Sequence, residues 1–151
     1  MRNEFNMIID FAIEREQEAV DFYKSLQVNS DFQSNKNFYV ELEAMEQGHI
    51  NTLENLKKNV IENSDLKVPT VDNLHISDYL VDVPSEGKLS YQDILILAMK
   101  REEKAYALYA MLAEEATDTF IKNIFLKLAS EEAKHKNHFE KKYDSEILTD
   151  N

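Results

Sequence analysis

The sequence predicts an all-α protein: an antiparallel four-helix bundle made of two repeated helical hairpins joined by a long crossover. Three observations support this fold class. Only two Gly and two Pro occur in 151 residues, so few positions disfavour a helix. Apolar residues recur at helical spacing in four long segments. The last two segments repeat the first two at an offset of 86 positions, as between His49 and His135.

The composition restricts the class of function. The absence of Cys excludes disulfides, zinc–thiolate sites and a rubredoxin-like iron site within this sequence. The net charge of −12 argues against a nucleic-acid partner. No apolar run could span a membrane, and no secretory segment follows the first four residues. We therefore expect one soluble cytoplasmic domain over residues 1–151, with no nucleic-acid and no membrane partner.

The first hairpin is predicted to contain helices at about 3–28 and 32–62, joined by a short connection at 29–31 that would cap the second helix. Glu16 lies within the apolar stripe of the first helix, and Glu46 and His49 lie within that of the second. Gly48 weakens the second helix, and tight helix packing is one explanation for it. The other stripe residues are Ile9, Ala12, Ile13, Val20, Tyr23, Leu26, Phe38, Tyr39, Leu42, Ile50, Leu53 and Leu56.

Residues 63–89 lose the helical periodicity and are predicted to cross the length of the bundle. Two interpretations are open for this crossover. Its apolar residues could hold it against the bundle or against a second subunit, or it could be an ordinary packed loop that contains a short helix. The apolar residues in question are Tyr79, Leu80, Val81 and Val83.

The second hairpin is predicted to contain helices at about 91–116 and 119–142, with a frayed tail at 144–151. A helix-start signature precedes the third helix at 90–93, and Thr117 and Asp118 form the turn before the fourth. Glu102 lies at the centre of the third stripe, with Glu132 and His135 in the fourth. The other stripe residues are Leu95, Ala98, Met99, Ala105, Tyr106, Tyr109, Leu112, Ile121, Phe125, Leu128 and Phe139.

The repeated acidic and histidine residues predict a site for two metal ions. In Glu-x-x-His, both side chains lie on one helix face and can bind one ion. Dinuclear carboxylate bundles have a known ligand pattern: two helices supply one Glu each, and the other two supply one Glu-x-x-His each. Four carboxylates would balance two divalent cations. Oxygen and imidazole ligands suit iron or manganese, and zinc would also bind. The predicted metal ligands are Glu16, Glu46, His49, Glu102, Glu132 and His135.

Within this set, Glu46 and Glu132 are the natural bridging ligands, and Glu16 and Glu102 the outer ones. Tyr23 and Tyr109 repeat two turns beyond the outer ligands. They either fill the core or donate hydrogen bonds to ligand carboxylates, and the sequence leaves both readings open. The remaining candidates are expected to serve other purposes. We expect packing roles for Tyr39 and Tyr106, and core or boundary positions for Met7, Met45, Met99 and Met111. We expect surface ion pairs at Arg15 and Arg101, and no metal binding at His75 and His138.

The repeated Glu16-x-x-Ala19-x-x-x-Tyr23 and Glu46-x-x-His49 motifs resemble the rubrerythrin branch of the ferritin-like family over about residues 5–142. The resemblance implies a di-iron centre that reacts with hydrogen peroxide or dioxygen as an oxidoreductase, and it implies a homodimer. Rubrerythrins typically carry a further rubredoxin domain, and this sequence has no Cys. A separate rubredoxin-like protein is therefore the expected electron donor. Typical members also have a further Glu ligand where this chain has Ala105.

Three functions remain open at this stage. The first is a di-iron peroxidase or oxidase of rubrerythrin type. The second is a ferroxidase or other iron-handling protein, and the third is a structural or sensor bundle that a metal only stabilises. The repeated ligand set does not separate the first two functions, because both need the same dinuclear site.

Overall fold

A computed structural model describes residues 2–28, 35–71, 74–82 and 89–148, and these residues contain four long helices and no β-strand. The all-α prediction is therefore confirmed. The chain divides into two compact units, Met1–Thr70 and Val71–Asn151, and each unit holds one pair of packed helices. Two such pairs agree with the predicted four-helix bundle. The helices are α1 (Arg2–Val28), α2 (Lys36–Glu62), α3 (Tyr91–Glu115) and α4 (Thr119–Tyr143).

In the first unit, α1 and α2 are antiparallel. The Lys57 Nζ atom lies 2.6 Å from Asp10 Oδ1, and Gln27 Nε2 donates a hydrogen bond of 2.7 Å to Glu43 Oε1 near the opposite end of the pair. The Arg2 guanidinium donates to the Val60 carbonyl in the last turn of α2, an acceptor that the helix C-terminus leaves open, and to the Asn63 and Ser64 carbonyls just beyond it. The predicted connection at 29–31 and the predicted start of α2 at 32 lie outside the described residues.

In the second unit, side-chain caps begin both helices: the sequence predicted the one at Ser90, whereas it predicted only a turn at Asp118. The Ser90 hydroxyl accepts a hydrogen bond from the Asp93 backbone N–H at 3.1 Å, and the Asp93 carboxylate accepts one from the Ser90 N–H. The Asp118 carboxylate accepts a hydrogen bond from the Ile121 N–H at 3.1 Å. The helices α3 and α4 are antiparallel, since Gln92 near the start of α3 donates to the Tyr143 hydroxyl at the end of α4.

The described part of the crossover contains a 3₁₀ turn, Ile76–Tyr79, which packs on α3. This turn agrees with the interpretation of the crossover as a packed loop that contains a short helix. Val83, which was also predicted to pack, lies outside the described residues. The frayed-tail prediction is wrong for Asp144–Leu148, which continue α4 as a π-helical turn. The Tyr91 hydroxyl donates to the Glu146 carboxylate and so ties this turn to the start of α3. None of the described helices has the length and hydropathy needed to cross a bilayer.

Several packing predictions are wrong. Tyr106, Met7 and Met45 are exposed, and the 70% exposure of Met7 places it clearly at the surface rather than in the core. Tight packing does not explain Gly48, because a Cβ atom built there would meet nothing within 4 Å. The exposure of Tyr106, Met7 and Met45 was missed because these residues lie at the edges of a helical stripe, where a shift of one position moves a side chain from the core to solvent.

Candidate metal centre

The first unit brings together the three ligands that the sequence predicted for its hairpin. Glu16 comes from α1, and Glu46 and His49 come from one face of α2. One ligand atom of each lies within 4.8 Å of those of the other two. The His49 Nδ1 atom is 3.3 Å from Glu16 Oε2 and 3.7 Å from Glu46 Oε2. All three side chains are at least 96% buried, so this triad has almost no solvent to stabilise its charges.

The second unit repeats the arrangement. Glu102 comes from α3, and Glu132 and His135 come from one face of α4. One ligand atom of each again lies within 4.8 Å of those of the other two. The His135 Nδ1 atom is 3.5 Å from Glu102 Oε2, so the same imidazole nitrogen faces the carboxylate in both units. These three side chains are also buried.

The electrostatics of the first triad show that it favours positive charge. Burial raises the pKa of Glu16 well above its usual value, and the neighbouring charge of Glu46 raises it further, while His49 opposes the shift. Burial lowers the pKa of His49, but the hydrogen bonds and charges of Glu16 and Glu46 outweigh burial and raise it to about 11. In the metal-free protein, protons on these groups therefore reduce the negative charge that a cation would otherwise neutralise.

The donor atoms of each triad fit a metal ion. Two carboxylates and one imidazole, without a thiolate, form a hard oxygen and nitrogen set that suits iron or manganese and also accepts zinc. A divalent cation would replace the protons that the triad holds, because metal ligands must be deprotonated. The predicted residues are therefore brought together within each hairpin, and their role as ligands stays a prediction.

Tyr23 and Tyr109 are both buried, at equivalent positions of the two hairpins. The Tyr109 ring stacks on Phe125 with centroids 6.3 Å apart, and the Tyr23 ring lies 5.4 Å from that of Phe22. These contacts show that both rings fill the core. The hydrogen bonds to ligand carboxylates stay a prediction. Tyr39 is equally buried, as expected of a packing residue, and the repeat has Phe125 in its place.

His75 and His138 were expected not to bind metal, and this stays a prediction. His75 and His138 are exposed, and neither belongs to a cluster of potential ligands among the described residues. Arg15 lies 3.0 Å from Glu18 and covers the ring of Phe11, which confirms the surface ion pair predicted for it. Ala105 lies one turn beyond Glu102 on α3 and has no donor atom, so this position adds no ligand.

The buried Glu–Glu–His triad in each of two hairpins has the residue pattern that dinuclear carboxylate proteins use. The family model described as Rubrerythrin matches residues 7–143. The chain therefore belongs to the rubrerythrin family, a ferritin-like di-iron family, and its buried Glu and His residues fit a metal site of that kind. No curated protein and no solved structure matches the chain.

Proposed function

We propose that the two triads together hold a dinuclear iron centre that reduces hydrogen peroxide or dioxygen. The observation that carries this proposal is the repetition of a buried Glu–Glu–His triad in both hairpins of a rubrerythrin-family chain. Each triad has two carboxylates, so two divalent cations would bring the combined charge of four carboxylates close to zero. Neutralisation of this kind offsets the cost of removing carboxylates from water.

The ligand roles follow from the helices that carry the residues. Each Glu-x-x-His pair presents a carboxylate and an imidazole on one helix face, so the His can bind one metal while its Glu extends to the second. The isolated Glu of the other helix then completes one metal position. In this proposal the bridging ligands are Glu46 and Glu132, the outer ligands are Glu16 and Glu102, and His49 and His135 bind one metal each.

Two ferrous ions, when bound, would supply two electrons, so that one hydrogen peroxide and two protons give two water molecules and two ferric ions. The protein residues fix the conditions for this chemistry. Apolar side chains lie close to each triad: Leu42 and Leu128, one turn from the proposed bridging Glu residues, are buried, and such a lining would keep water away. The hydroxyls of Tyr23 and Tyr109 would orient ligand carboxylates by donating hydrogen bonds to them.

The electrons that restore the ferrous state must come from outside this sequence. It has no Cys, so it cannot form a rubredoxin-type iron site. We therefore propose a separate electron-donor protein, for which a small rubredoxin-like protein has the right chemistry.

The test is metal analysis of protein purified without oxygen, followed by stopped-flow oxidation. We expect about two iron ions per chain, as the dinuclear pattern requires. Addition of peroxide should oxidise the ferrous protein faster than it oxidises the Glu16→Ala/Glu102→Ala double variant. The Glu14→Ala variant is the matched control, because Glu14 is an exposed neighbour of Glu16 on the same helix. Equal rates in the double variant and the parent protein would contradict the proposal.

The same preparation separates the two other functions. A ferroxidase would be oxidised faster by dioxygen than by peroxide and would continue to oxidise added ferrous iron beyond two ions per chain. A structural metal would raise the melting temperature without any oxidation faster than that of the double variant. Iron storage would in addition require a large hollow shell, which sedimentation would detect.

A further inference from the structure

A cavity of about 470 Å³ lies in the second unit between the described part of the crossover and α3. The 3₁₀ turn Ile76–Tyr79 and the residues just after it form one side of this cavity. Its volume is within the range of small-molecule sites, which is about 300–1,000 Å³. The crossover side is lined by Ser77, Leu80, Val81 and Asp82. The α3 side is lined by Lys100, Glu103 and Lys104.

The α3 side of the cavity has the opposite charge to the equivalent face of α1. Lys100 and Lys104 are the repeat counterparts of Glu14 and Glu18. In the first hairpin, both of those glutamates lie within 3.5 Å of the Arg15 guanidinium. The triads are alike in the two hairpins, so the metal site does not require this change of charge. The two lysines are a feature of the second hairpin that needs its own explanation.

The charges at the cavity favour an anion. Lys100 and Lys104 are four positions apart on one face of α3, where like charges destabilise a helix. Within the described part of the chain, neither lysine forms an ion pair. Glu103 Oε2 lies 4.0 Å from Lys136 Nζ on α4, so the charge of Glu103 is balanced. The lining then has two positive charges and the one negative charge of Asp82, in a chain whose net charge is −12.

We propose that this cavity binds a small organic anion through a carboxylate or phosphate group. The anionic group would lie between the two lysine ammonium groups and so remove their repulsion. The Ser77 hydroxyl would donate a hydrogen bond to it. Leu80 and Val81 would contact the carbon skeleton of the ligand. The proposal does not depend on the metal or on the proposed reaction, because none of these residues is a predicted metal ligand.

The first test is calorimetric titration of the full chain with inorganic phosphate, butyrate and butyl phosphate at constant ionic strength. We expect butyl phosphate to bind more tightly than inorganic phosphate, because its alkyl chain covers Leu80 and Val81. Tighter binding of butyl phosphate than of butyrate would assign a phosphate group to the natural ligand, and the reverse order would assign a carboxylate. If none of the three anions binds, the proposal is wrong.

The second test restores the charges of the first hairpin. Lys100→Glu/Lys104→Glu should weaken binding of the tighter anion by about tenfold or more, because two attractive charges become repulsive. Lys24→Glu/Lys127→Glu is the matched control, since it makes the same change in net charge at two exposed lysines that do not line the cavity. It should leave the affinity nearly unchanged. Equal losses in the two double variants would show a general charge effect and would overturn the proposal.

The third test uses Asp82, the acid that an anion must tolerate. Asp82→Asn should tighten binding by about twofold, because it removes a repulsive charge from the lining. Ser77→Ala should weaken binding, since it removes the proposed hydrogen-bond donor. A weaker affinity in Asp82→Asn would mean that the site binds a positive group there, which would contradict the assignment of an anion.

Discussion

At the scale of single residues, the pKa shifts of Glu16 and His49 make the stability of the metal-free protein depend on pH. The raised pKa of His49 stabilises the fold below the ordinary value of about 6.5, and this contribution is lost as the pH rises towards 11. The raised pKa of Glu16 changes stability with pH in the same direction. The folded state favours the neutral acid, so it loses stability as the pH rises above 4.5. The metal-free protein should therefore become less stable with rising pH.

A metal ion that binds this triad must displace its protons. Titration of the metal-free protein with zinc, a redox-inactive ion, in weakly buffered solution at pH 7 should release about one proton or more per ion at this triad. A pH electrode or an indicator dye measures the release. The His49→Ala variant should release fewer protons at the same metal occupancy. A parent protein that binds zinc without acidifying the solution would contradict the protonation that the triad geometry implies.

The histidines give the sharpest test of where each ion binds. His49→Ala and His135→Ala should each lower the iron content from about two ions per chain to about one, because each removes one imidazole from one triad. Elemental analysis of anaerobic preparations measures this change. His138→Ala is the control, since His138 is exposed on α4 only three residues from His135. If a single His substitution removed both ions, the two positions would not be independent.

At the scale of the helices, the caps of α3 and α4 and the glycine within α2, Gly48, affect local stability. The capping box at Ser90 and Asp93 fixes the start of α3, and Asp118 fixes the start of α4. The apolar stripe of each helix, which packs inward, carries Glu102 and Glu132 to the interior. Gly48 has the opposite effect on α2, because glycine loses more conformational freedom in a helix than any other residue.

Gly48→Ala should stabilise the protein by about 0.5–1 kcal/mol, which is the difference in helix propensity between the two residues. No clash offsets this gain, since the space around a Cβ atom is open. Urea denaturation of the metal-free protein measures the change in free energy of unfolding. Ala44→Gly, one turn earlier on the same exposed face of α2, is the matched control and should lower stability by a similar amount. A destabilising Gly48→Ala would point to a constraint that the structure does not contain.

At the scale of the whole molecule, metal binding should contribute directly to stability. Each ion that binds only the folded chain adds about 2.7 kcal/mol when its free concentration is 100 times its dissociation constant. Removing metal with a chelator should therefore lower the melting temperature measured by calorimetry. The Glu16→Ala/Glu102→Ala variant should show no difference between chelator and added metal. An unchanged melting temperature in the parent protein would mean that the triads do not hold metal in the folded state.

Much of the fold and of the candidate site follows from the sequence alone. The four helices were predicted within a few residues because apolar periodicity and the helix-start signature at Ser90 act locally. The two triads were predicted because acidic residues within an apolar stripe repeat in register with a histidine. The exposure of Tyr106 was missed because helical spacing alone does not define the edge of a stripe. The ordered tail was missed because it depends on the contact between Tyr91 and Glu146, which are distant in sequence.

The open surface at Gly48 also makes the molecule convenient to label. Gly48→Cys would introduce the only thiol of the chain, because the natural sequence contains none. The Cβ atom of that cysteine would meet nothing within 4 Å on the exposed side of α2, and an attached fluorophore would sit one residue from His49. Quenching of its emission by a paramagnetic ion would then follow the filling of this half of the centre in real time.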